Sequence, residues 1–309
     1  MGSINELPVE LLSSIFIPIC QGFYDFESST PSWKDDFQLL RTILTLSSVN
    51  SLWRDVVFSL PQIWATILVT VDSRWSTGKS ARVAQWRLEH SRTSPLTITL
   101  RVRGYPDGSQ MGDAWGIIVP YLPRCQHLIF TNLLPRFLKT IFPLPGRLFS
   151  LKKISIQGPQ YSGGGLTEID RLFSESPRAA APLLNSLDLG SLPCAPESFG
   201  DLSFLKLRLA DARPPFRPAL ALVETYFQRN RTLDTLVILA PPVFTRGTAE
   251  FLRDPISFPS LRRLAVKTQF WNWPDIIDAP TVQHLVLTNV YYILGVLAKR
   301  FPAVEHISI

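Results

Sequence analysis

Pro259-Ser260-Leu261-Arg262-Arg263-Leu264-Ala265-Val266 and Pro280-Thr281-Val282-Gln283-His284-Leu285-Val286-Leu287 are two copies of one pattern. Each has a proline, one spacer, and then the series apolar-x-x-apolar-x-apolar. The last two apolar positions are two residues apart, so they fall on the same side of a short strand. A lone strand of this kind cannot bury that side. Copies stacked against one another can.

The series recurs along most of the chain. It reads Leu151-x-x-Ile154-x-Ile156, Leu184-x-x-Leu187-x-Leu189, Phe204-x-x-Leu207-x-Leu209, Leu233-x-x-Leu236-x-Ile238 and Val304-x-x-Ile307-x-Ile309, with a looser copy at Cys125-x-x-Leu128-x-Phe130. Taken at the middle apolar residue, the spacing runs from 20 residues (187 to 207) to 33 (154 to 187). That is the length of a leucine-rich repeat with insertions. Pro123, Pro182, Pro259, Pro280 and Pro302 all stand two residues before the first apolar position. The fold class expected is therefore α/β, with residues 66–309 forming a leucine-rich-repeat solenoid: a curved parallel sheet with helices on its convex side. Candidate convex stripes are Phe137/Leu138/Ile141/Phe142, Ile169/Leu172/Phe173, Val223/Tyr226/Phe227 and Ile293/Leu294/Val296/Leu297. The last copy closes on Ile309 without a polar capping repeat, so the expectation is either a truncated sequence or an edge covered by something else.

Residues 1–65 read differently. Pro8 suits the start of a helix, and Leu11, Leu12, Ile15 and Phe16 give it an apolar face. Pro18 limits its length. A second helix is predicted over 38–47 and a third over 48–59, ended by Pro61. Residues 21–37 are expected to be a solvated loop. These helices carry more apolar residues than so small a module can bury, which suggests a docking surface.

The series Leu7-Pro8, Glu10-Leu11-Leu12, Ile15-Phe16, Val49 four residues before Trp53-Arg54, and a closing Trp64 resembles the F-box. The resemblance implies a helical module that binds the Skp-family adaptor of cullin-based ubiquitin ligases. It also implies that Leu7, Pro8, Ile15, Phe16, Val49 and Trp53 face that adaptor. The 21–37 insertion departs from the pattern. Farther on, Trp86-Arg87-Leu88-Glu89-His90-Ser91-Arg92 followed by Pro95-Leu96-Thr97-Ile98 resembles the join in many F-box proteins of mushroom-forming fungi.

Charge divides the same way. Residues 1–65 hold three basic and seven acidic side chains, a net of −4 in a chain of +6, so the remainder carries +10. Within the repeats, residues flanking the two buried strand positions point away from the core. That side collects His127, Lys153, Lys206, Arg208, Arg263, Lys267 and His284, with Asp188 as the main acid. A basic concave face of this kind suits an acidic or phosphorylated protein segment, or serves solubility alone.

Several classes of chemistry find no support. Cys20, Cys125 and Cys194 are odd in number and widely spaced, so neither a disulfide framework nor a metal frame is expected. Gly78-Lys79-Ser80 ends like a P-loop but has Ser73 where the first glycine belongs, and reads as a turn opening a helix. No nucleophile–base pair, cofactor fingerprint or third ligand for the histidines stands out. The start lacks a signal peptide and a myristoylation pattern, and no stretch is long enough to span a bilayer. The expected setting is cytoplasmic or nuclear. Together these features predict a non-enzymatic substrate receptor of a ubiquitin ligase, without cofactor or metal. The alternative is a leucine-rich-repeat scaffold that binds an acidic protein or nucleic acid without a ligase role.

Overall fold

The computed structural model describes residues 7–21, 33–72, 78–141, 148–157, 181–188, 202–208, 232–239, 256–267, 277–288, 299 and 301–308. The chain forms two compact units, Met1–Thr131 and Asn132–Ile309.

The first unit begins with three helices, α1 (Val9–Gln21), α2 (Trp33–Val49) and α3 (Ser51–Ser59), followed by a 3-10 turn at Pro61–Trp64. Pro8 lies one residue ahead of α1, and its carbonyl accepts from the N–H groups of Leu11 and Leu12 at 3.0 and 3.1 Å. Pro18 sits inside α1 instead of ending it. Its missing N–H falls in the last turn, where Cys20 is buried against the helical core. Residues 33–37, expected in a loop, form the first turn of α2.

The expected third helix is divided from α2 at Asn50, whose extended backbone and side chain cap α3 by accepting from Trp53 N–H at 2.8 Å. Arg54 Nε donates to the Ser47 carbonyl near the end of α2.

Leu12, Phe16, Leu39, Ile43, Val56, Val57, Ile63 and Trp64 make the core of this helical head. Trp64 is fully buried, and its Nε1 donates to the Val57 carbonyl at 3.1 Å.

After the head come β1 (Thr66–Asp72), α4 (Gly78–His90), β2 (Leu96–Arg103), α5 (Gly108–Ile118), a 3-10 segment at Val119–Arg124 and β3 (Cys125–Thr131). The three strands pair in parallel as β1-β2-β3. Gly78-Lys79-Ser80 opens α4, and Ser80 Oγ accepts from Thr70 N–H at 2.9 Å. Arg124 binds the carbonyls of Leu88 and Ser91 and the Ser91 hydroxyl, closing the end of α4.

Trp86 of α4 packs edge-on to Trp64 at 4.8 Å, so α4 joins the core of the helical head.

The second unit holds α6 (Pro135–Ile141), β4 (Lys153–Gln157), β5 (Ser186–Asp188), β6 (Phe204–Arg208), β7 (Thr235–Leu239), β8 (Ile256–Ser257), β9 (Arg263–Lys267), β10 (Ile277–Asp278), β11 (His284–Thr288) and β12 (His306–Ser308). Its main sheet is parallel, in the order β4-β5-β6-β7-β9-β11-β12, and β8 pairs with β10 apart from it. The fold class is α/β with parallel strands, as the repeat pattern predicts.

One device repeats at every step of this sheet. Two consecutive N–H groups entering a strand share a single carbonyl of the strand before. Asn185 and Ser186 share Lys152 O, Ser203 and Phe204 share Asn185 O, and Asp234 and Thr235 share Ser203 O. Arg262 and Arg263 share Asp234 O, Gln283 and His284 share Arg262 O, and Glu305 and His306 share Gln283 O. Equivalent residues are thus stacked in register, although their sequence separations differ widely.

This register corrects one repeat. Leu205 aligns with Leu187 and with Leu236, so the β6 copy is Leu202-x-x-Leu205-x-Leu207, two residues earlier than expected. Both frames satisfy the apolar pattern, but Leu202 and Leu205 are the buried pair. A slip of two keeps every side chain on the same side of the sheet, so the outward assignment of Lys206 is unaffected.

The proline frame has a direct cause. In Phe258-Pro259-Ser260-Leu261 the Leu261 N–H bonds back to the Phe258 carbonyl, closing a four-residue turn with proline second. The same bond closes Ala181–Leu184, Ala279–Val282 and Phe301–Val304, and Cys125 N–H bonds to Leu122 likewise. Proline presets the φ that this position needs. The first turn residue is buried each time: Leu122, Ala181, Phe258, Ala279 and Phe301.

The expected convex stripes are seen only in part: Phe137 and Ile141 are buried on α6. Phe142, Ile169, Leu172, Phe173, Val223, Tyr226, Phe227, Ile293, Leu294, Val296, Leu297 and the side chain of Leu138 lie outside the described residues.

Candidate interaction surfaces

On α1 two apolar stripes run side by side at four-residue spacing. Leu12, Phe16 and Cys20 are buried in the head, at 0–2% exposure. Leu11, Ile15 and Ile19 lie one residue before each of them and are 51%, 44% and 43% exposed. Val9 is also open, as are Leu44 and Val49 of α2. Leu44 lines a shallow groove on α2 with Leu40, Arg41, Thr45 and Ser48. Isolated exposed apolar residues are ordinary, but a complete helical stripe is a docking feature.

The six residues expected to face an adaptor divide into two groups. Pro8, Ile15 and Val49 are exposed. Leu7 and Trp53 are half-buried against the head core. Phe16 is 1% exposed, with its ring 4.9 Å from that of Trp53, so it serves the core and presents no surface of its own. The Trp53 indole N–H is buried without a hydrogen-bond partner among the described residues. Leu11, read from the sequence as part of the apolar face but not among the six, and Ile19, not singled out, complete the open stripe. Their signal was the four-residue spacing from Ile15.

In the second unit, the strand register fixes which outward residues are neighbours. One row runs Lys153, Ser186, Phe204, Thr235, Arg263, His284, His306. Two residues on, a second row runs Ser155, Asp188, Lys206, Val237, Ala265, Val286, Ser308. A third pairs Arg208 with Leu239 and Lys267 with Thr288. Lys153, Lys206, Arg208, Arg263, Lys267 and His284 therefore share one side of one sheet by strand register. The side chains of Arg208 and Lys267 lie outside the described residues. His127 belongs to β3 of the first unit, where its Nδ1 lies 3.4 Å from Thr97 Oγ1.

This side is not evenly basic. Lys206 Nζ is 3.1 Å from Asp188 Oδ2, and Gln157 Nε2 donates to the same oxygen at 3.4 Å. Asp188 is only 5% exposed, so its charge is engaged within the fold. Lys153 Nζ stands 5.8 Å above the Phe204 ring. Arg263 is exposed and makes no ion pair among the described residues. His284 and His306 stack at 5.0 Å, nearly parallel.

Burial pushes the Cys20 thiol up to about 11 and the Cys125 thiol up to about 12. These are packing residues and not nucleophiles at neutral pH. Among the described residues no group of three potential ligands could hold a metal ion, and no helix is long and apolar enough to cross a membrane.

No family model matches this chain, and a search of curated proteins returns no match.

Proposed function

We propose that the chain is a non-enzymatic substrate receptor of a cullin-based ubiquitin ligase. In this reading the helical head is F-box-like and docks on a Skp-family adaptor. The parallel repeats are a leucine-rich-repeat solenoid that holds a protein substrate. The observation that carries the reading is the open stripe Leu11, Ile15 and Ile19, laid beside a buried stripe that already completes the head. Apolar area of this kind gains about 25 cal/mol per Å² when a partner covers it. The resemblance to the F-box in order and spacing names the partner. In this reading the ligase would supply the chemistry, and this chain would supply proximity.

The test uses purified proteins. The full chain should retain a Skp-family adaptor on an affinity column, and the Leu11→Glu, Ile19→Glu variant should not. Both changes fall on exposed positions, so circular dichroism should be unchanged. An intact chain that fails to retain the adaptor leaves a repeat scaffold without ligase role as the better reading.

A further inference from the structure

We propose that the outward strip on β7, β9 and β11 is a docking site for an extended, carboxylate-rich segment of a partner protein that also carries small apolar side chains. This rests on the reading of the repeats as the substrate-binding part. Val237, Ala265 and Val286 are register partners across the three strands. Val237 and Ala265 are half-buried, and Val286 is 42% exposed. Their small side chains make an apolar floor that another backbone can approach closely.

Two residues back along each strand, roughly 7 Å away, stand Thr235, Arg263 and His284, with His306 on the next strand. Strands sit about 4.8 Å apart, so Arg263 and His306 are roughly 10 Å apart along the rim. One extended segment lying across the strands can place alternate side chains on the floor and its carboxylates against this rim.

The charge on the strip favours an acidic occupant. Asp188 is the one acid among the described outward residues of the three strand rows, and Lys206 already neutralises it. Arg262, whose side chain is 70% exposed, reaches Asp234 at 3.8 Å, and Asp234 also accepts from the Thr235 hydroxyl at 3.1 Å; Arg263 makes no ion pair among the described residues. Carboxylate matches a single fork of this kind. Phosphate recognition calls for several converging cations, and single-stranded nucleic acid calls for aromatic stacking platforms. Among the described side chains of these three strands the one cation is Arg263, and the one ring, that of His284, is already stacked on His306. No third ligand stands beside the histidine pair among the described residues.

The experiment is fluorescence anisotropy of the full chain with a short labelled peptide alternating Glu and Val. The same peptide with Gln for Glu and an oligothymidine strand serve as comparisons. The Glu peptide should bind about tenfold tighter than the Gln peptide and weaken as salt is raised. Arg263→Glu should weaken it by at least about tenfold, and Arg263→Ala by less. Equal binding of the two peptides, no effect of either Arg263 variant, or tighter binding of the oligothymidine would overturn the proposal. Adaptor binding is measured on the same preparations and should not change with Arg263. Its absence alone would remove the ligase reading and leave the docking strip standing.

Discussion

Lys206 and Asp188 meet at 3.1 Å across neighbouring strands, on the side of the sheet away from the core. From sequence, Lys206 counts toward a free positive surface. In the fold it is the counter-charge of a carboxylate that is 5% exposed. Lys206→Ala should therefore destabilise the second unit, by about 1–3 kcal/mol, because it leaves Asp188 buried without its cation. The double variant Lys206→Ala, Asp188→Ser should recover part of that loss. Urea unfolding of the four proteins gives the coupling directly, expected at about 0.5–3 kcal/mol.

The corrected β6 frame makes a sharper prediction. Leu205→Ala should cost about 2–5 kcal/mol, as should Leu264→Ala and Leu285→Ala, since each removes a buried side chain from the stacked row. Phe204→Ala and Arg263→Ala should cost distinctly less, because both side chains face outward. Denaturant midpoints with unchanged slopes check this. Equal losses at Leu205 and Phe204 would mean that the register of β6 is misread.

Pro259 and Pro280 each occupy the second position of a turn closed by a backbone hydrogen bond. Replacing either by Ala should lower stability by about 0.4–1 kcal/mol, acting through the greater freedom of the unfolded chain. Thermal melts should show the two losses adding. A larger loss would point to a packing role for the ring.

Cys20 and Cys125 should resist alkylation in the native chain at pH 8 and react once it is unfolded, as read by mass spectrometry of the two peptides. Burial raises both thiols from an ordinary 9.0, to about 11 and about 12. A raised folded value favours the protonated thiol in the fold. Its contribution is complete below pH 9 and is lost as pH rises through 11 to 12. Stability should accordingly fall across that alkaline window, and Cys125→Ala should blunt the fall.

Much of this architecture was legible because it is periodic. The prolines marked the turns of five copies, and the middle apolar residue is buried in six of the eight copies as read; the β6 copy was misframed and Ile307 is 45% exposed. What the pattern left open was register. Leu202/Leu205/Leu207 and Phe204/Leu207/Leu209 satisfy it equally, and only pairing with Leu187 and Leu236 decides. Helix α5 went unread although Met111, Ala114, Trp115 and Ile118 line its buried side and Asp107 with Gln110 forms its capping box. Its buried residues follow a 3.6-residue period that stands outside the strand repeat.

The candidate surfaces were legible only as residue types. Spacing marked Ile15 and Phe16 as one apolar group, but which of the two adjacent stripes the head would bury depends on α2 and α3. Likewise, Lys206 and Asp188 are well separated in the chain, and their pairing follows from the strand register.

The central claim is that the open stripe of α1 docks a Skp-family adaptor. The most direct measurement is the affinity of the full chain and its Ile15→Glu variant for the purified adaptor, by calorimetry. Ile15 is 44% exposed, so the variant should fold with an unchanged melting temperature. The account predicts binding by the unmodified chain and a loss of at least about 2 kcal/mol in the variant, the size expected when a central apolar anchor becomes a desolvated charge. Equal affinities, or no binding by the unmodified chain, would contradict it.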